Sequence, residues 1–254
     1  MLNIIKTAIQ TSNHKMGVVS NNIANAGTSA FKRSEALFHD IYLKSTGTGP
    51  KLGSGAKVEA NRLSHNPAEL KRTGVTTDLA IDGHGMFITA NPNDLSDITF
   101  TRNGSFQLNN QGYLTTNEGR LVLREDLTAI RVEYEKNGVP LSQFNVNRQG
   151  YVLAAYGVAE GEPIARLGLA NFDNPAALEQ LGNGAFAATD KAGLYGIFPP
   201  TRNGTGSVLS GHLEVSNVDL VNELVALIQT QQGFSAASKA IQADNDMVAR
   251  FTRG

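Results

Sequence analysis

The stretch from Ser216 to Phe251 constrains this chain more than any other. It holds no proline and a single glycine, Gly233, and its apolar residues recur at helical spacing to the end. Ser216 or Asn217 can cap its start, because a short side-chain oxygen accepts from a free first-turn N–H. Asp219 and Glu223 stand near the positive end of the helix dipole and Arg250 near the negative end. The pattern predicts one helix of roughly 30 to 35 residues, longer than an ordinary globular helix.

A seam runs along it. Leu220, Leu224, Leu227, Gln231, Phe234, Ser238, Ile241, Asn245 and Val248 step alternately by four and three, which is the coiled-coil repeat. Three of the nine are polar, so the seam is weak and the helix needs neighbours. Ile228 lies beside it, in the densest apolar stretch. Near the other terminus Ile5, Ile9, Ser12, Met16, Val19 and Ile23 repeat the stepping. An isolated helix that short is marginal in water. Two weak seams at opposite ends suggest pairing with each other or with copies of themselves. An amphipathic helix lying on its own domain fits the periodicity equally well.

Between the ends the texture is β. From Asp78 onward short alternating runs are separated by turn signals such as Asn103-Gly104, Gln111-Gly112, Asn137-Gly138 and Gln149-Gly150. Strands at roughly ten-residue spacing indicate an all-β domain. Ile130 to Glu135 alternates like a half-buried strand, Pro175 to Leu181 predicts one short helix, and Gly182 to Gly206 reads as mostly irregular. Val208 to Val215 reads as a strand entering the long helix. Before Asp78, Lys44 to Gly55 has the composition of a flexible loop and Asn61 to Thr77 reads as extended or irregular.

The expected class is α+β, with terminal helices paired as a coiled-coil-like core element around a central all-β domain. Its parts are an axial helix and turn at 1–35, an extended linker at 36–77, the β domain at 78–207, and a strand with the long helix at 208–254.

Composition removes several functions. Lysine plus arginine is 22 against 23 aspartate plus glutamate, which argues against a nucleic-acid surface or a polybasic membrane patch. No cysteine is present, so thiol catalysis, disulfides and thiolate zinc sites are excluded. His14, His39, His65, His84 and His212 are scattered without metal spacing. Gly83-x-Gly85 lacks the rest of a dinucleotide fingerprint, since position 88 is Ile88 and no helix pattern follows. No cofactor or metal is therefore expected. Glu133 and Glu135 share a strand face that reads as solvated, although a β-domain glycosidase would need two such carboxylates facing a cleft. No run reaches the roughly 18 apolar residues of a membrane span, so no membrane insertion is expected. The opening MLNIIKTAIQTSNHK is broken by Lys6 and Thr7 and is not read as a secretory signal.

Four stretches carry a resemblance. SNNIANAGTSAFKRSEALF, from Ser20 to Phe38, resembles the N-terminal signature of bacterial flagellar axial proteins, the rod and hook group. DLAIDGHGMFIT, FTRNGSFQLNNQGYLTTNEGRLVL and SGHLEVSNVDLVNELVALIQTQ resemble the same family in the same order. The resemblance implies a structural subunit, not an enzyme. It would stack helically into the drive shaft of the basal body, with itself and other rod or hook proteins as partners. It would leave the cell through the flagellar type III export apparatus without a cleaved signal peptide.

Assembly residues would then be the seams, Ile5, Ile9, Met16, Val19, Ile23, Leu220, Leu224, Leu227, Ile228, Phe234, Ile241 and Val248, with Asn22, Asn25 and Phe31 at the turn. Where the family usually carries Gln-Arg-x-Tyr-Glu, this chain has Gln231-Gln232-Gly233-Phe234-Ser235, so any ion pair made there by relatives is absent. The short loop after Phe38 favours the proximal-rod branch, whereas Phe31-Lys32-Arg33-Ser34 looks more like the distal-rod or hook branches. A β-domain enzyme with helical ends, or an adaptor binding a partner helix, are the competing classes.

Overall fold

The computed structural model describes residues 2–42 and 53–253. The expected loop at Lys44 to Gly55 lies outside the described residues as far as position 52. The chain divides into two compact units, one of residues 1–26, 33–64 and 218–254 and the other of 27–32 and 65–217.

In the first unit, α1 spans Leu2–Ala24 and α2 spans Leu220–Arg253, a helix of 34 residues. The cap of α2 is Asp219, not Ser216 or Asn217. Its Oδ1 accepts from the backbone N–H of Val221 at 2.9 Å and of Asn222 at 3.2 Å. Asp219 immediately precedes the first helical residue, and its charge also suits the dipole. The strands Ser34–Tyr42 and Gly53–Leu63 pair antiparallel, so the stretch expected as a linker opens with a hairpin. Helix α1 contacts both α2 and this hairpin.

The second unit is β throughout, with every described ladder antiparallel. A large sheet is built around the strand Met86–Asn91, which pairs with Asp94–Thr101 and with Leu121–Val122. Met86 to Ala90 is buried without interruption, as befits a central strand covered on both faces. Phe87 meets Phe106 edge-on, ring centroids 5.1 Å apart. A four-stranded sheet of Glu135–Lys136, Val139–Val146, Tyr151–Tyr156 and Glu162–Arg166 adds Phe144, Val146 and Val152 to the same core.

Two expectations fail here and a third holds in the main. Ile130 to Tyr134 forms no ladder. Arg131 makes a single bridge to Tyr113 and Ala129 one to Leu123. Gly182 to Gly206 is mostly irregular as expected, with the short strands Ala185–Ala187 and Leu194–Phe198 set within it. Pro175–Ala177 is a single 3-10 turn, and Glu179–Gly182 continues as strand.

One unit of structure occurs twice. Asn109-Asn110-Gln111-Gly112-Tyr113 returns as Asn147-Arg148-Gln149-Gly150-Tyr151. In the first copy Asn109 Oδ1 accepts from Gln111 N at 3.0 Å and Tyr113 N at 2.9 Å. In the second, Asn147 Oδ1 accepts from Gln149 N and Tyr151 N at the same two distances. An arginine then lies over each tyrosine ring, Arg131 at 5.7 Å and Arg166 at 4.8 Å from the centroids. Each also donates Nε to the glutamine carbonyl, at 3.3 and 3.2 Å. Gly112 and Gly150 both sit at φ +81°, and a Cβ at Gly112 would fall 2.0 Å from the Val132 carbonyl oxygen. Both copies therefore require glycine.

The shared geometry predicts shared energetics. Asn109→Ala and Asn147→Ala each delete two side-chain-to-backbone bonds and should each cost about 1–2 kcal/mol. Urea unfolding of the full chain measures this, and the two losses should agree within about 1 kcal/mol.

Candidate assembly interface

The counted seam of α1 faces inward. Ile5, Ile9, Ser12, Met16 and Ile23 are half-buried and Val19 is buried, whereas Lys6, Gln10, Asn13, Lys15 and Ser20 are exposed. A four-three row at one terminus thus matches the packed side of its helix.

Helix α2 behaves differently. Its inward row is Glu223, Leu227, Thr230, Phe234, Ala237, Ile241 and Asp244, all buried or half-buried. That row shares Leu227, Phe234 and Ile241 with the counted seam. It replaces the exposed Leu224, Gln231 and Asn245 by the residue preceding each, while Ser238 stays half-buried beside Ala237. The reason is local. The Glu223 carboxylate is satisfied by neighbours described below, and Thr230 Oγ1 donates to the Ala226 carbonyl at 2.7 Å. Polar side chains therefore face in, and apolar ones are turned out. Val221, Leu224, Val225 and Ile228 are 70%, 49%, 48% and 53% exposed. Their spacing of three, one and three places them on one helix face. Leu220 and Val248, expected on the seam, are also exposed.

Asn22 and Asn25 part company as well. Asn25 is half-buried, and its Nδ2 donates to the Asn21 carbonyl at 2.9 Å and to Asn21 Oδ1 at 3.1 Å. Asn22 is 1% exposed and joins three segments. Its Nδ2 donates to the Ser34 carbonyl at 2.8 Å and to Glu223 Oε2 at 3.2 Å, while its Oδ1 accepts from Ser34 N at 3.0 Å. Arg33 Nε donates to the other Glu223 oxygen. The carboxylate is 1% exposed, so these partners are what permit its burial.

The second unit holds its own ionic centre. Lys32 and Glu214 are each 1% exposed and meet at 2.6 Å. Lys32 Nζ also donates to the Asn66 carbonyl at 2.9 Å, and Glu214 Oε1 accepts from Ala68 N at 3.1 Å. Arg102 Nη1 reaches Glu214 Oε2 at 3.4 Å, and its Nη2 donates to the Gly83 carbonyl at 2.7 Å. Burial lowers the Lys32 and Arg102 pKa values, and the Glu214 charge opposes that shift at both. Phe31, the remaining turn residue, is buried, and its carbonyl accepts from Asn217 N at 3.3 Å.

His65 lies beside this centre. Neither ring nitrogen has a hydrogen-bond partner among the described residues, and the ring meets Phe186 edge-on at 5.4 Å. It helps line a cavity of about 420 Å³ with His84, Met86, Arg102, Asn171 and Asp173. Burial first, and then the charges of Lys32 and Arg102, bring its pKa down from 6.5 to about 4.

Between pH 6.5 and about 4 the unfolded chain binds a proton at this position that the folded chain does not. Stability should therefore fall with acid across that window, by on the order of 3 kcal/mol, with no effect above it and no further loss below it. Urea midpoints followed against pH should show this slope, and His65→Phe should flatten it.

Among the described residues no group of three or more His, Cys, Asp or Glu side chains could hold a metal ion. No described helix is long and apolar enough to cross a membrane.

Comparison with known proteins decides the family. A model described as "Flagellar hook protein FlgE/F/G D1 domain" matches residues 80–154, and one described as "Flagellar basal body rod FlgEFG protein C-terminal" matches residues 209–253. The flagellar basal-body rod protein FlgG of Buchnera aphidicola from Acyrthosiphon pisum is 32% identical over 266 aligned positions, covering 98% of this chain and 97% of that protein. The chain belongs to the flagellar basal-body rod protein family. FlgG of Bacillus subtilis is 31% identical, covering 92% of this chain and 90% of its own. The flagellar hook protein FlgE of Treponema pallidum is 29% identical over 69% of this chain but only 38% of its own length.

Membership in the rod family makes the chain a structural protein of the flagellar basal body, not an enzyme. The two rod relatives carry the FlgG name, so the preference for the proximal rod protein FlgF finds no support in them.

Proposed function

We propose that this chain is a distal-rod-type subunit that adds to a helical stack through its terminal helices. The observation that carries the assembly reading is the outward apolar row Val221, Leu224, Val225 and Ile228, next to an inner row that already has partners. A face of this kind, repeated on every subunit, suits heterologous contacts that propagate without closing. The distal position is supported by end-to-end similarity to proteins named FlgG. On this reading α1 and α2 pair as a coiled-coil-like core element through the rows of Ile5, Ile9, Met16, Val19 and Ile23 and of Leu227, Phe234 and Ile241. Copies of the chain and other rod or hook proteins are its partners, and the flagellar type III apparatus exports it to a periplasm-spanning rod.

The test is to delete the gene, restore it, and isolate basal bodies. Swimming should be lost and regained with the gene. Cross-linking through Val221 or Ile228 should recover this chain joined to itself and to rod or hook subunits. Basal bodies that lack the chain in a swimming strain would exclude the reading.

A further inference from the structure

The rod reading does not account for the polar cluster joining the two ends of the chain. Asn22 lies on the last turns of α1, Glu223 on the first turn of α2, and Arg33 and Ser34 open the hairpin. Apolar side chains could fill the inward positions of Asn22 and Glu223, at the cost of the two bonds that Asn22 makes to the Ser34 backbone. The rest of the inner rows offers little discrimination. Ile9, Met16 and Ile23 on one helix, and Leu227, Phe234 and Ile241 on the other, each recur every seven residues, so they would bury similar surface if either helix slid by one heptad, about 10.5 Å. The polar cluster could not follow such a slide. It would leave the Glu223 carboxylate and the Asn22 carboxamide buried without partners.

We propose that Asn22, Glu223 and Arg33 set the axial register of α1 against α2, a role distinct from holding the helices together. The other buried polar residue of the α2 row, Thr230, bonds within its own helix, so the polar contact between the helices is this cluster, and a buried polar contact between helices is a well-attested way to fix their register. The register also fixes which way the outward row of α2 points relative to α1 and the hairpin. Assembly through that row would then depend on the polar contact, a consequence that rests on the rod reading.

The test pairs Asn22→Leu with Glu223→Leu in the full chain, so that an apolar contact replaces the polar one. The sequence has no cysteine, so spin labels can be placed at Asn13→Cys and Gln231→Cys, both exposed sites. The unaltered chain should give one narrow label distance. The paired variant should keep its helix content by circular dichroism, yet add distances displaced by about 10 Å, one heptad, and it should fail to restore swimming. A single unaltered distance in the variant would overturn the proposal. So would loss of helix content, which would make the cluster a source of stability and not of register. If the unaltered chain fails to restore swimming, the rod reading falls while the label distances still decide the register.

Discussion

Glu214→Ala is expected to destabilise the chain by about 3–5 kcal/mol, the largest effect of any single substitution considered. Glu214 is the one carboxylate within ion-pairing distance of both Lys32 and Arg102 among the described residues. Both cations are buried, at 1% and 6% side-chain exposure, and burial already works against their charged forms. Truncating Glu214 leaves two uncompensated cations and orphans the Ala68 N–H besides. The cost is therefore that of breaking a buried pair, well above the roughly 0–1 kcal/mol of a surface bridge.

Lys32→Met should be milder, because Arg102 remains to neutralise Glu214 and the methionine fills similar volume. Lys136→Met, which removes an exposed pair with Glu162 at 2.5 Å, should be close to neutral. Urea unfolding of the three variants against the unaltered chain gives the ranking. A Glu214→Ala midpoint equal to that of the unaltered chain would show that the two cations are held by something other than this carboxylate.

The two ends of the chain were unequally legible. In α1 the four-three row is apolar apart from Ser12, and inward-facing residues are the ones a hydrophobic count selects. In α2 the same count follows Leu224, while the helix turns Glu223 and Thr230 inward instead. A count of apolar residues cannot register that Asn22 and Arg33, some 190 to 201 positions away in sequence, supply the partners a buried glutamate needs. Lys32 illustrates the same limit, since lysine is among the residues least often fully buried. Its partner Glu214 is 182 positions distant, and nothing in the local pattern joins them.

The cap of α2 was misplaced by two or three residues, because Ser216, Asn217 and Asp219 all have capping side chains and only backbone geometry chooses among them. In the β unit, turn signals marked the strand boundaries well where they were Asn-Gly or Gln-Gly. In the glycine-rich stretch after Gly182 only the two short strands went unseen, because glycine breaks the periodicity of a strand without preventing its ladder. The recurrence of Asn-x-Gln-Gly-Tyr was present in the letters. In the sequence its two Gln-Gly pairs mark only turns, and it is the matched Asn109 and Asn147 hydrogen bonds, with an arginine over each tyrosine, that reveal a duplicated unit.

Leu224→Asp, and equally Ile228→Asp, should abolish swimming while leaving the isolated chain folded. In the free chain both side chains are about half exposed, so a carboxylate there remains hydrated and should shift stability by no more than about 0.5 kcal/mol. In a stack that covers this face, the same carboxylate is buried without a partner, at a cost of several kcal/mol per subunit. The penalty recurs at every contact, so even a moderate single-site cost would suppress a repeated assembly. Gln242→Asp is the control, an exposed position of the same helix outside the outward apolar row, and it should swim normally. Swimming assays beside limited proteolysis of each purified variant separate the two effects. Normal swimming by Leu224→Asp, or a proteolysis pattern showing that it unfolds the β unit, would mean that the outward row of α2 is not the surface through which the rod is built.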